Sequence, residues 1–300
     1  MTAFAHTPYD GSSKPFSIGL APLDLARWIE PDDRLAAHLA EKDRLFETVR
    51  DRVFRVEAGT EASQQEVLDL LAAHLPAHYP ELWTRVGEAL EVAPTGARVA
   101  LAADDETPAL MRAARLVQED LLLMRRGPTG WRLVAAALCF PSSWSLAEKF
   151  GKDLDGIHAP VPGYQERLAA RMARIFDNLK VEVPVWRVNW SVYPDDALHH
   201  PESKERPRAW FGSAEDMVGA AFVRVERQTM RRLPDTDDIL FTVRIHVDPL
   251  AQFRAHPEGA RLAAGLRQQL LALDEGELKY KALDGHRDRL AAALEGLVGG

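Results

Sequence analysis

The chain has 300 residues, 46% of them hydrophobic, with a formal charge of −8 and one cysteine. That length buries one large core, or a core with helical additions, and the acidic balance argues against a nucleic-acid partner. The lone Cys139 excludes an internal disulfide and a cysteine-held zinc or iron–sulfur cluster.

The longest apolar run, Leu133 to Phe140, falls far short of the roughly 18 residues of a membrane span. Residues 1–15 lack a basic start followed by an apolar stretch, so they read as a disordered lead-in and the protein as cytoplasmic. Residues 16–98 read as a helical region. Leu35, Leu39, Leu45, Phe46 and Val49 recur at helical spacing within Asp32–Val49. Ser63 and Glu66 have capping-box spacing at the start of a second helix, which is expected to stop near Pro76. A helical or loop stretch then leads to about residue 98.

Residues 99–250 change period. Arg115–Met124 and Trp131–Phe140 read as a hairpin across Gly127, Pro128 and Gly130, the second strand lying inside the sheet because it is apolar on both faces. Ser145 and Glu148 cap a short helix, a proline-stiffened loop follows, and Tyr164–Lys180 is an amphipathic helix. Val185–Tyr193, Ala221–Arg232 and Ile239–Asp248 complete the strands, the last two pairing across LPDTDD. Residues 251–300 read as helices, Glu258–Leu273 and Glu275–Leu297. Two strands, helices and three strands is the order of a PAS-like domain, so the expected fold is α+β: a five-stranded antiparallel sheet (ββ-α-βββ) with N- and C-terminal helical extensions.

Ten histidines are present. His74 and His78 are four apart, but the intervening Pro76 is expected to break zinc geometry. His158, in DGIHAPVPGY, is followed by Pro160 and Pro162, which stiffen the chain as a loop-borne metal ligand requires. A structural histidine capping a carbonyl fits the same spacing. Arg224, Glu226 and Gln228 share one strand face, Arg227, Thr229 and Arg231 the other; periodicity does not say which face meets a pocket. Arg187, Asn189 and Ser191 likewise alternate against Trp186, Val188, Trp190 and Val192. No GxGxxG, phosphate loop or GxSxG elbow is present.

The segments RLVQEDLLLM, CFPSSWSLAEKFGKDLDGIHAPVPGY, RVERQTMRRLP and ILFTVRIHVDPL, flanked by FSIGLAPLDLARWIEPDD and ELKYKALDGHRDRL, resemble the haem-dependent oxidative N-demethylase alpha-subunit-like family over roughly residues 16–290. The resemblance implies a PAS-like fold holding haem b on His158. It implies oxidative removal of a methyl group from a small amine, with electrons from a separate NADPH-dependent reductase carrying flavin and an iron–sulfur cluster. Arg224, Glu226 and Arg227 are the expected catalytic residues. Trp144, Lys149, Pro160, Tyr164, Gln228 and His246 join His158 around the cofactor. The family leads one to expect an aromatic residue at His246, so a pocket position there would alter substrate choice. A haem- or gas-binding module without turnover, or a scaffold subunit, is the other reading. Buried mid-strand, Cys139 reads as a small hydrophobe rather than a thiolate ligand.

Overall fold

The computed structural model describes residues 4–12, 17–102, 106–202, 210 and 213–298. Ten strands form two antiparallel sheets: β1 (Ala21–Pro22), β2 (Phe54–Val56), β3 (Trp83–Val86), β4 (Ala89–Val92), β5 (Ala97–Ala100), β6 (Asp120–Gly127), β7 (Gly130–Ala137), β8 (Val185–Tyr193), β9 (Phe222–Arg232) and β10 (Ile239–Pro249). The main sheet is seven-stranded in the order β1-β8-β9-β10-β6-β7-β2, and β3-β4-β5 is a separate meander. The protein is therefore α+β.

The five strands expected from the sequence are the inner five of the main sheet. Its edges, β1 and β2, are two and three residues long, too short to show a period. The small meander corrects the helical or loop expectation up to residue 98. Its strands are four residues each and half-exposed, so they alternate too briefly to be read as sheet.

Several boundaries move for identifiable reasons. The helix Glu61–His78 contains Pro76 in its last turn, where tertiary packing carries it past the expected stop. His74 and His78 therefore stay on one helix, with rings 4.4 Å apart. Thr60, not Ser63, is the N-cap residue. Ser63 instead donates to Asp238 at 2.6 Å, and Glu66 accepts the amides of Asp235 and Thr236 at 2.8 and 3.0 Å. The capping-box pair thus fastens the β9–β10 turn rather than its own helix. Helix Ala109–Ala114 delays β6 to Asp120, and the long amphipathic helix divides at Leu168 into Tyr164–Arg167 and Ala169–Asn178. At the C-terminus Ala282 and Gly285, both at positive φ, separate Glu275–Tyr280 from Arg287–Val298.

The helices cover both sheet faces. Helix Gly259–Leu271 and helix Arg287–Val298 share one apolar cluster with Trp190, Val192, Val223 and Val225. The other cluster joins β6, β7 and β10 to the helices of residues 35–78. Residues 4–12 are no loose lead-in: Tyr9 is fully buried and the Phe4 ring packs 4.8 Å from Phe253. The connection between β8 and β9 includes residues 203–209, which lie outside the described residues. No described helix is long and apolar enough to cross a membrane.

Between the hairpin and the N-terminal helices lies a buried polar knot. Lys42 donates to the carbonyls of Val117 and Glu119 at 2.9 and 2.5 Å. Asp120 accepts the amides of Cys139 and Phe140 at 2.8 and 2.9 Å. Burial pushes the Asp120 carboxyl from 3.8 up to about 6, against the pull of Lys42. The fold therefore holds this proton more tightly than the unfolded chain does. Stability contributed below the unfolded value is lost as pH rises through about 6. Urea unfolding from pH 4 to 7 should show wild-type stability declining relative to Asp120→Asn. A constant difference across that window would refute the assignment.

Candidate functional site

His158 ends a short helix, Leu154–His158, rather than lying on a loop. The turn is built by its neighbours. Ser145 and Glu148 form the expected capping box, which fixes the helix carrying Lys149. Lys149, buried apart from its route to solvent, donates to the Ile157 carbonyl at 2.6 Å. Asp153 caps the turn by accepting the Gly156 amide at 2.9 Å. Beyond it, the Val161 amide donates to the His158 carbonyl at 2.8 Å, and Gly163 takes φ 64° to turn the chain into Tyr164. Pro160 is exposed, and it acts on backbone stiffness alone.

The imidazole is held at two points. Nδ1 lies 2.8 Å from the Leu154 carbonyl, and the ring stacks on Tyr164 with centroids 4.7 Å apart and planes 11° apart. A carbonyl can only accept, so Nδ1 carries the proton and Nε2 keeps its lone pair. Burial depresses the imidazole pKa, the Leu154 bond opposes this, and the charges of Arg187 and Lys149 depress it further. The ring is thus a neutral donor of one lone pair. The ring caps a carbonyl, as the structural reading of the sequence expects, and that bond fixes the tautomer and leaves the lone pair on Nε2.

The sheet register supplies what faces it. Arg187 lies opposite Gln228, Asn189 opposite Glu226 and Ser191 opposite Arg224, so these six side chains share one face. Gln228 donates to Glu226 at 2.9 Å. Burial pulls the Arg187 guanidinium pKa down, while Glu226 and Tyr280 hold it up. Its Nε is sealed from water without a hydrogen-bond partner among the described residues. The Tyr280 phenol is pushed up to about 12 by burial and by Glu226. Helix Glu275–Tyr280 reaches this face beside the proline loop, Gly276 approaching Pro162. Arg187, Glu226 and Gln228 thus share one sheet face, with His158 and Tyr280 within electrostatic reach of Arg187.

The other expected site residues lie elsewhere. Arg224 shares the face but is buried and committed to oxygen acceptors: the carbonyls of Ala197, Phe140 and Leu198 at 3.0, 3.0 and 2.8 Å, and Ser142 Oγ at 2.9 Å. Arg227 points to the opposite face, donating to the Trp28 and Arg27 carbonyls and pairing with Glu30 at 3.1 Å. Neither arginine is free for a ligand, which corrects the expectation that they act with Glu226. His246 also lies on that opposite face, with His6 and Glu30. Trp144 is half-buried against the larger apolar cluster. Cys139 is fully buried mid-core, and burial pushes its thiol far up, which matches the small-hydrophobe reading. A surface cleft of about 340 Å³, lined by residues that include Asp51, Arg52, Arg55 and Glu202, contains neither His158 nor Glu226.

Sequence reasoning missed Arg187 and Tyr280. Arg187 was visible as one of three alternating polar residues on β8, but only the pairing of β8 with β9 aligns it with Glu226. Tyr280 arrives from a separate C-terminal helix and carries no local signal.

The sequence profile of one family matches residues 19–291 of this chain, and that family is described as haem-dependent oxidative N-demethylase, alpha subunit-like. A match of that extent includes every strand of both sheets and the His158 turn, and the chain belongs to the haem-dependent oxidative N-demethylase alpha-subunit-like family.

Proposed function

We propose that the chain is the haem-carrying subunit of an oxidative N-demethylase, with His158 as the axial ligand of haem b. The observation that carries this reading is the His158 imidazole: neutral, fixed through Nδ1, and with Nε2 free to donate. A haem ligand needs those three properties. The inner five strands, two before the helices and three after, support reading the core as PAS-like.

Bound there, haem would supply activation of O₂, one oxygen atom going to the N-methyl carbon and the other to water, with two electrons from a partner reductase. The products are formaldehyde and the amine shortened by one methyl group. This chain's own residues hold and orient. Glu226, half-buried and steadied by Gln228, is the anionic partner for a protonated small amine. Arg187, whose guanidinium feels the Glu226 charge across the strand pair, balances that charge in the absence of the cation. Tyr280, held protonated by burial and by the Glu226 charge, adds no second negative charge beside that carboxylate. The electron donor is an NADPH-dependent reductase with flavin and an iron–sulfur cluster, and the compartment is the cytoplasm.

Reconstituted protein should show a strong Soret band that His158→Ala abolishes or shifts; an unchanged spectrum would overturn the ligand assignment. Lys149→Met, which frees the Ile157 carbonyl, should weaken haem retention by about 10- to 100-fold while leaving the far-UV circular dichroism intact. With the reductase supplied, formaldehyde should form from a secondary or tertiary methylamine. Glu226→Gln should raise KM on the order of ten-fold or more, as loss of a hydrogen bond to a charged group does, with the Soret band unchanged. A normal Soret band with no formaldehyde from a broad amine panel would point to a haem- or gas-binding module instead.

A further inference from the structure

On the opposite face of the sheet from His158, three side chains from distant parts of the chain converge: His6 from the N-terminal segment, Glu30 from the loop before helix Leu35–Thr48, and His246 from β10. His6 Nε2 is 2.6 Å from Glu30 Oε2, and His246 Nε2 is 3.5 Å from the same oxygen. One ligand atom from each lies within 4.8 Å of the other two. A divalent ion about 2.0–2.2 Å from each donor needs donor separations of about 3–4 Å; the His246–Glu30 pair already stands at such a distance, and the shorter His6–Glu30 contact would open on binding. Their side chains are only 8%, 15% and 9% exposed, so the three donors are screened from bulk water.

The surroundings are arranged for this. The second carboxylate oxygen of Glu30, Oε1, is taken by Arg227 at 3.1 Å and Arg27 at 3.4 Å. That leaves Oε2 alone directed at the two imidazoles, the role outer partners play around ligating carboxylates. Arg244, two residues from His246 on the same face, is spent on Asp32 at 2.6 Å and on the Ile245 carbonyl. Two residues along β10 from His246, and on its face, Asp248 buries an oxygen without a hydrogen-bond partner among the described residues. The rings of His6 and His246 meet edge to face at 5.2 Å, and Trp186 closes the far side 5.6 Å from His6.

We propose that His6, Glu30 and His246 form a second metal site, binding one divalent cation of the zinc or ferrous type and fastening residues 4–12 to the sheet. Two imidazoles with one carboxylate suit such borderline cations, whereas calcium and magnesium require mostly oxygen donors. The site lies across the sheet from His158 and does not depend on haem.

The full chain, stripped with a chelator and titrated with zinc chloride, should take up one tightly held zinc by calorimetry and by metal analysis after desalting. His6→Ala and His246→Ala should each weaken that uptake by at least about ten-fold. Zinc should also raise the melting temperature of the wild type but not of His6→Ala, and magnesium should leave both unchanged. Because Glu30 also holds Arg227, Glu30→Gln can fail through misfolding, so His6→Ala carries the test. His78→Ala addresses the competing helical pair His74 and His78. Zinc lost in His78→Ala and retained in His6→Ala would overturn the proposal, as would the absence of saturable uptake. Retention of zinc uptake by His158→Ala is expected whether or not His158 carries haem.

Discussion

The backbone ladder joining β8, β9 and β10 decides which face of the sheet each of its polar side chains meets. β9 pairs with β10 from Phe222↔Pro249 to Arg232↔Ile239 and with β8 from Phe222↔Tyr193 to Met230↔Val185, without a break in register. Side chains alternate strictly along such a ladder, so Glu226 and Gln228 meet Arg187 and Asn189 on one face. Arg227, Arg244 and His246 go to the other. A slip of one residue would exchange the two sets and place charged groups against apolar helices. The hairpin turn that fixes this register is itself tied down by Ser63, Glu66 and Arg125, the last gripping Asp238 at 2.7 Å. The polar surface near His158 thus depends on a turn at the far end of the hairpin.

Three buried arginines make the same point about cost. A desolvated guanidinium is costly unless hydrogen bonds or an ion pair compensate it. Arg224 meets this with carbonyls from the stretch after β7 and from the β8–β9 loop, Arg227 with Arg27, Trp28 and Glu30, and Arg244 with Glu30 and Asp32. Each therefore draws an irregular segment onto the sheet. The loop of residues 27–32 has little apolar area of its own beyond Trp28 and Ile29. Its position comes from these charged hydrogen bonds, which are stronger than neutral ones.

Much of this was legible in the sequence, and the failures share a cause. The five long strands and the Ser145 capping box rest on local signals: alternation and cap spacing. What escaped was either too short to repeat or made by residues far apart. The four-residue strands of the meander show no full period. Ser63 and Glu66 have capping-box spacing but turn to a hairpin more than 160 residues away. Arg224 and Arg227 look like site residues because charge within a strand suggests a ligand, and only the contacts of their guanidinium groups show structural use. Tyr280 could not be placed without knowing that its helix wraps past the edge of β8.

His246 shows how register changes the meaning of a residue. As a departure from the aromatic expected at that point of β10, it would bear on substrate choice if it lined the space beside Glu226. Ile245, not His246, is paired with Glu226, and alternation along β10 turns the imidazole to the far face. There its neighbours are His6, Glu30 and Trp186 rather than His158, Arg187 and Tyr280. An imidazole in that position adds a nitrogen donor to a buried carboxylate, which an aromatic hydrocarbon ring cannot do. The histidine therefore stands among the residues that meet the N-terminal segment, and the face of Glu226 is left to other residues of β8 and β9.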